Sequence, residues 1–142
     1  DKALWSPASK RRAFAETGDT FVLCLLGDDP FGDYLSKIEG KPVQGRKLVI
    51  RRVRLLSEIA PCHALYVSAS EEGRWDAIFT AIQGRPVLSV GDVAGFARLG
   101  GMINLFVEAG RLQFEINVDA LRREDLSVSS KLLKLARIVR DE

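Results

Sequence analysis

Hydrophobic and polar positions change rhythm along this chain, and each rhythm predicts an element. Residues 20–26, TFVLCLL, form an apolar run closed by Gly27, the pattern of a buried strand. GDDPFGDYLSKI then predicts a helix, which Asp28 or Asp29 can cap and whose first turn suits Pro30. RKLVIRRV (46–53) alternates and predicts a strand, and CHALYVS (62–68), entered through Pro61, predicts another. Ser70 stands ready to cap a helix over 71–82, where Trp75, Ile78, Phe79 and Ile82 form one stripe; Gly84 ends it. PVLSV (86–90) predicts a fourth strand, and GDVAGFARLGG a loop with a short helical turn.

Residues 102–117 pair with themselves as a hairpin turned at Ala109-Gly110. Alternation puts Ile103, Leu105, Val107, Leu112, Phe114 and Ile116 on one face, the expected core face. Met102, Asn104, Phe106, Glu108, Arg111, Gln113, Glu115 and Asn117 share the other, with Asn104 opposite Glu115 and Glu108 opposite Arg111. Residues 118–125 predict a short helix. Ser127 or Ser129 caps a last one, with Leu132, Leu135, Ala136 and Val139 on its apolar stripe. Residues 1–19, polar and basic, read as a loosely structured lead-in. The alternation of strands and helices predicts an α/β fold: a sandwich with a mostly parallel central sheet flanked by helices, plus a C-terminal antiparallel hairpin. The first four strands are expected in the order 2-1-3-4 with right-handed crossovers. With no internal repeat or low-complexity tract, residues 1–142 read as one domain.

Composition narrows the function. The 142 residues are 46% hydrophobic and 28% charged, an ordinary globular balance. A net charge of +2 carries no nucleic-acid footprint. The longest apolar run, 21–26, is too short to span a membrane. The chain starts abruptly at Asp1, so a leader or a first helix removed beforehand is an expectation.

Catalytic constellations are weak. Asp28, Asp29 and Asp33 follow the first strand, where a phosphoacceptor domain would hold Mg²⁺, but capping and turn formation account for them. His63 is the only histidine and one cysteine beside it makes no metal site, so neither metal nor cofactor is expected. Ser68 and Ser70 lack a nucleophile elbow, and GDVAGFARLGG lacks the spacing of a phosphate loop. Lys131, Lys134, Arg137 and Arg140 form a basic stripe on the last helix, read as a solvated face. No enzyme is expected. Cys24 and Cys62 fall on two strands; if those are neighbours the pair reaches bridging distance, otherwise both are buried free thiols. Spacing leaves both open.

Five stretches in register resemble the YfiR family of small periplasmic proteins: FVLCLLGDDPFG (21–32), CHALYVS (62–68), GRPVLSVGDVAGFARLGGMINLF (84–106), GRLQFEIN (110–117) and SSKLLKLARIV (129–139). WSP at 5–7 resembles the close of the family's first helix, itself absent. The resemblance implies an exported, often dimeric α/β protein with its signal peptide removed and Cys24 and Cys62 bridged. The implied function is repression of an inner-membrane diguanylate cyclase. The protein would bind the cyclase's periplasmic sensor domain, lowering cyclic di-GMP and biofilm formation. An outer-membrane-associated protein would sequester it. Residues 97–104 lack the second cysteine pair of the family's best-known member, so no second bridge is expected.

On this reading the second hairpin face, Met102, Asn104, Phe106, Gln113 and Glu115, is the partner contact: an apolar anchor within a polar rim. Cover by the helix at 118–123 or by the last helix is the other reading of that face. The alternative function is a periplasmic small-molecule-sensing domain that relays ligand binding to a membrane partner. Its ligand would lie at the strand ends beside Asp28, Pro30, Phe31 and Ser68.

Overall fold

A computed structural model describes residues 19–43 and 45–141. The expected lead-in therefore lies almost wholly outside the described residues. The chain builds a mixed eight-stranded sheet with four helices, an α/β fold. In chain order these are β1 (Thr20–Leu26), α1 (Tyr34–Ile38), β2 (Pro42–Val43), β3 (Arg46–Val53), β4 (Ala64–Val67), α2 (Trp75–Ile82), β5 (Leu88–Gly91), β6 (Ile103–Glu108), β7 (Arg111–Asn117), α3 (Val118–Arg123), α4 (Ser130–Leu135) and β8 (Arg137–Val139). The sheet order is β2-β3-β1-β4-β5-β6-β7-β8. β3, β1, β4 and β5 run parallel, which is the 2-1-3-4 order expected of the first four long strands.

Both faces of the central strands are buried, and that is why β1 reads as an unbroken apolar run. Val22, Cys24 and Leu26 pack with Leu65, Val67 and the α2 residues Trp75, Ile78 and Ile82. The alternate residues face the other way: Phe21 packs with Leu48, Ile116 and Leu121, and Leu25 with Leu35 and Tyr66.

Three elements depart from the sequence reading. The helix after β1 begins only at Tyr34, with Asp33 rather than Asp28 or Asp29 at its N-cap and Pro30 outside its first turn. The helix expected over 71–82 begins as a 3₁₀ turn (Ala69–Arg74), capped by Ser68 rather than Ser70, and becomes α-helical only at Trp75. The last helix stops at Leu135, and Arg137, Ile138 and Val139 pair in parallel with Glu115, Ile116 and Asn117. The stripe through Val139 looked helical, but β7 would otherwise present an unpaired edge, and the β-branched Ile138 and Val139 suit a strand. The basic stripe is thereby divided between a helix and a strand.

Candidate functional site

β1 and β4 are neighbours, with Cys24 opposite Leu65. Cys62 lies just before β4, and Cys24 and Cys62 form a disulfide with Cα atoms 5.8 Å apart. Both are buried, at 0% and 4% exposure, within the core face shared with α2. His63 is also buried, and its Nδ1 accepts the Val22 amide proton at 2.7 Å. It serves the backbone. Among the described residues no group of three His, Cys, Asp or Glu could hold a metal, and no helix is long and apolar enough to cross a membrane.

At the C-terminal ends of β1, β3 and β4 the proposed ligand residues have separate duties. Asp29 accepts the Phe31 amide at 2.7 Å and pairs with Arg52 at 2.9 Å. The Phe31 amide first, then Arg52, hold the Asp29 carboxyl below its ordinary range. Asp28 stands exposed, 3.5 Å from Arg54. Ser68 is buried and accepts from the Ser70 amide as the cap of the 3₁₀ turn. Phe31 meets Tyr66 edge-on, ring centroids 4.9 Å apart, while Pro30 is exposed. Burial, and then a hydrogen bond to Asp92, push the Tyr66 hydroxyl well above the ordinary tyrosine range. A cleft of about 430 Å³ lies elsewhere, between α2 and α3, lined by Phe79, Thr80, Met102 and Arg123 among others.

The hairpin pairs as expected, Asn104 opposite Glu115 and Glu108 opposite Arg111, turning at Ala109 and Gly110, both at positive φ. Its faces do not divide into core and surface as expected. Met102, Asn104, Glu115 and Asn117 are buried, at 3%, 1%, 8% and 0% exposure. The segment 92–101 reaches this face at Asn117, and Ala120 and Leu121 of α3 pack in one cluster with Met102. Phe96, fully buried, fills the space beside Gly91 and Gly101, where a Cβ would lie 2.7 and 2.1 Å from its ring. Phe96 also meets Trp75 and Phe79, each at 5.4 Å. Asn117 locks the arrangement. Its Nδ2 donates to the Ala97 carbonyl at 2.7 Å and to Asp141 at 2.8 Å, while its Oδ1 accepts from the Ala120 amide as the cap of α3. Cover by the helix at 118–123, one of the two considered from the sequence, therefore holds for Met102, which shares its cluster with Ala120 and Leu121. Asn104 donates to Glu115 at 3.3 Å, and its own side-chain carbonyl oxygen finds no partner among the described residues.

Of the five residues expected to meet a partner, Phe106 and Gln113 are half-buried, and the other three are withdrawn into the chain. Even Phe106 is roofed by the Arg137 guanidinium, 4.8 Å from its ring centre, which also pairs with Glu108 at 3.0 Å.

The outer end of the opposite face departs from the expectation too. Val107 and Leu112, directly paired, are each 70% exposed. β5 meets β6 only at Ile103 and Asn104, so the hairpin runs on past the end of β5. Ile103, Phe114 and Ile116 reach the core; the outer end does not. Ile138 and Leu135 stand in solvent as well, at 44% and 71% exposure. Alternation named this face correctly but contained no signal of how far the hairpin overshoots its neighbour.

The YfiR/HmsC-like family model matches residues 10–137 of the chain. Among solved structures, the chain is similar to the ABC domain in complex with L-Trp from Streptococcus pneumonia, at 12% identity and a TM-score of 0.57. That likeness covers 92% of this chain and 60% of the other, and concerns the fold alone.

Proposed function

The chain belongs to the YfiR/HmsC-like family, and from that premise we propose that it is a periplasmic regulator that binds the sensor domain of an inner-membrane diguanylate cyclase and holds it inactive. The family match carries this reading. The buried Cys24–Cys62 bridge supports it, since such bridges persist in oxidising compartments. Repression by binding needs no catalytic group. It works through differential affinity for two states of the sensor, and that difference bounds its effect.

The contact moves outward from the face first expected, to the projecting end of the hairpin. Val107 and Leu112 supply an apolar centre, and Phe106 and Gln113 lie on its reverse side. A second copy of the chain is the other occupant of that surface, and sequestration by an outer-membrane-associated protein is the releasing step. Val107→Asp with Leu112→Asp, both at exposed positions, should abolish capture of the purified sensor domain while leaving the melting curve in place. Undiminished capture removes the hairpin from the interface. Loss of dimerisation with capture intact assigns it to self-association.

The small-molecule reading retains one supporting observation, the exposed Phe31 stacked edge-on against Tyr66 at the strand ends. The relative of similar fold holds L-Trp. A metabolite that raises the melting temperature of the native protein but not of Phe31→Ala would favour it.

A further inference from the structure

The cleft of about 430 Å³ between α2 and α3 has no part in either reading above. Its volume lies within the range of small-molecule sites. Three elements wall it. α2 supplies Asp76 and Phe79, α3 supplies Arg123 and Glu124, and the chain at Leu99 and Gly100 closes the third side. These walls are tied in place. The Glu124 carboxylate accepts the Gly84 amide at 3.0 Å, joining the end of α3 to the end of α2. Gly100, at φ 133°, sits close against Phe79, where a Cβ would lie 3.2 Å from the ring. A site held this way loses little freedom when a ligand enters.

Polarity is graded from base to rim. Ile82 and Met102 line the cleft as buried residues, 7% and 3% exposed, beside the half-buried ring of Phe79, whereas Asp76 is exposed. The charged groups of the lining differ in what they have left to offer. Arg123 pairs with Asp141. Asp76 enters no ion pair among the described residues, and only its backbone carbonyl accepts a hydrogen bond, from Thr80. Glu124 commits one oxygen to Gly84 and likewise enters no ion pair. Arg85 and Arg98, close in sequence to the rim, are exposed and lie outside the lining. A base of aliphatic and aromatic carbon below two uncommitted carboxylates suits an organic cation with an apolar body.

We propose that this cleft binds a small organic amine, its hydrocarbon end against Phe79, Ile82 and Met102 and its ammonium at the Asp76 and Glu124 carboxylates. A carboxylic acid would have to displace Asp141 from Arg123 and face both acids, so the cation is the better fit. The site is separate from Phe31 and Tyr66 at the strand ends, and the inference does not depend on the cyclase reading.

Three probes of one hydrocarbon body separate charge from shape: phenethylamine, phenethyl alcohol and hydrocinnamate, each titrated into the whole protein and followed by NMR. Phenethylamine should shift the Leu99 and Gly100 amide signals saturably at millimolar concentration. The alcohol should bind about tenfold more weakly, at roughly threefold for each partly exposed carboxylate, and hydrocinnamate should leave those signals in place. Asp76→Asn with Glu124→Gln should weaken the amine by the same factor of about ten and leave the alcohol unchanged; the second substitution keeps an oxygen for the Gly84 amide, so the walls stay joined. Asp33→Asn, on the loop after β1, should bind the amine as the native protein does. Absence of a saturable shift with phenethylamine overturns the proposal, as does hydrocinnamate binding as tightly as the amine. An unchanged affinity in the double variant also overturns it, and an equal loss in Asp33→Asn would mark nonspecific attraction and do the same. If Phe31→Ala abolishes amine binding, the amine sits at the strand ends and the cleft assignment fails.

Discussion

Opening the Cys24–Cys62 bridge is the perturbation whose size the structure fixes best. The bridge closes a loop across 38 residues. In the chain-entropy account such a loop removes about 4 kcal/mol of denatured-state entropy at 25 °C. The two sulfurs lie in the packed face between β1 and α2, so reduction leaves the native contacts nearly as they were and acts on the unfolded chain. At this chain length roughly 4 °C accompanies each kcal/mol, so the melting temperature should fall by about 15 °C. Calorimetry of the oxidised protein, and of protein unfolded, reduced and refolded in reductant, measures the difference directly. Cys24→Ala with Cys62→Ala should fall further, because two buried sulfurs are also lost. Burial adds a kinetic expectation: alkylating reagents should not label either residue until denaturant is added. A fall under about 3 °C, or prompt labelling of the untreated protein, would be incompatible with a buried bridge that restricts the unfolded chain.

Phe96→Ala empties the space between Gly91, Gly101, Trp75 and Phe79 and should cost about 3–5 kcal/mol in chemical denaturation; a loss below about 1 kcal/mol would show that segment 92–101 does not depend on it. Asn117→Ala removes the α3 cap and strands the Ala97 carbonyl, for a loss of about 2–4 kcal/mol, whereas Asn117→Asp keeps the cap and should recover part of it. The Tyr66 hydroxyl titrates higher folded than unfolded, so its contribution is whole below about pH 10 and is lost as pH rises further; Tyr66→Phe should flatten the alkaline limb of the stability profile, and an unchanged limb would count against the Asp92 bond. Glu58 accepts the Leu55 and Arg54 amides, which hold it below the ordinary carboxylate range; its contribution is present above that range and lost as pH falls through it, so Glu58→Gln should blunt the acid limb.

Much of the sheet was legible because its physics is local. The run at 20–26 announced a strand buried on both sides, and the hairpin register followed from a two-residue turn. What was not legible depended on distant partners. Nothing between Asp92 and Gly101 signals that Phe96 will lie against Trp75 and Phe79, because the signal is the absence of a side chain at Gly91 and Gly101. Spacing left Cys24 and Cys62 undecided, since bridging depends on β1 and β4 being neighbours, which is a property of the sheet order. The end of the last helix depended likewise on the open side of β7. The candidate contact suffered most: its chemistry was read from alternation, and burial then exchanged the two faces at the hairpin's outer end.

The bridge between the first and fourth strands also sets how the molecule would yield to a pull on its two ends. Tension would travel from residue 24 across the sulfurs to residue 62, and the 38-residue arc between them would bear none of it. An oxidised molecule held in an optical trap should therefore stretch about 130 Å less than a reduced one, at roughly 3.4 Å per residue. The second element of the chain, together with both strands that follow it, would stay slack inside a covalent ring while everything outside the ring is drawn straight.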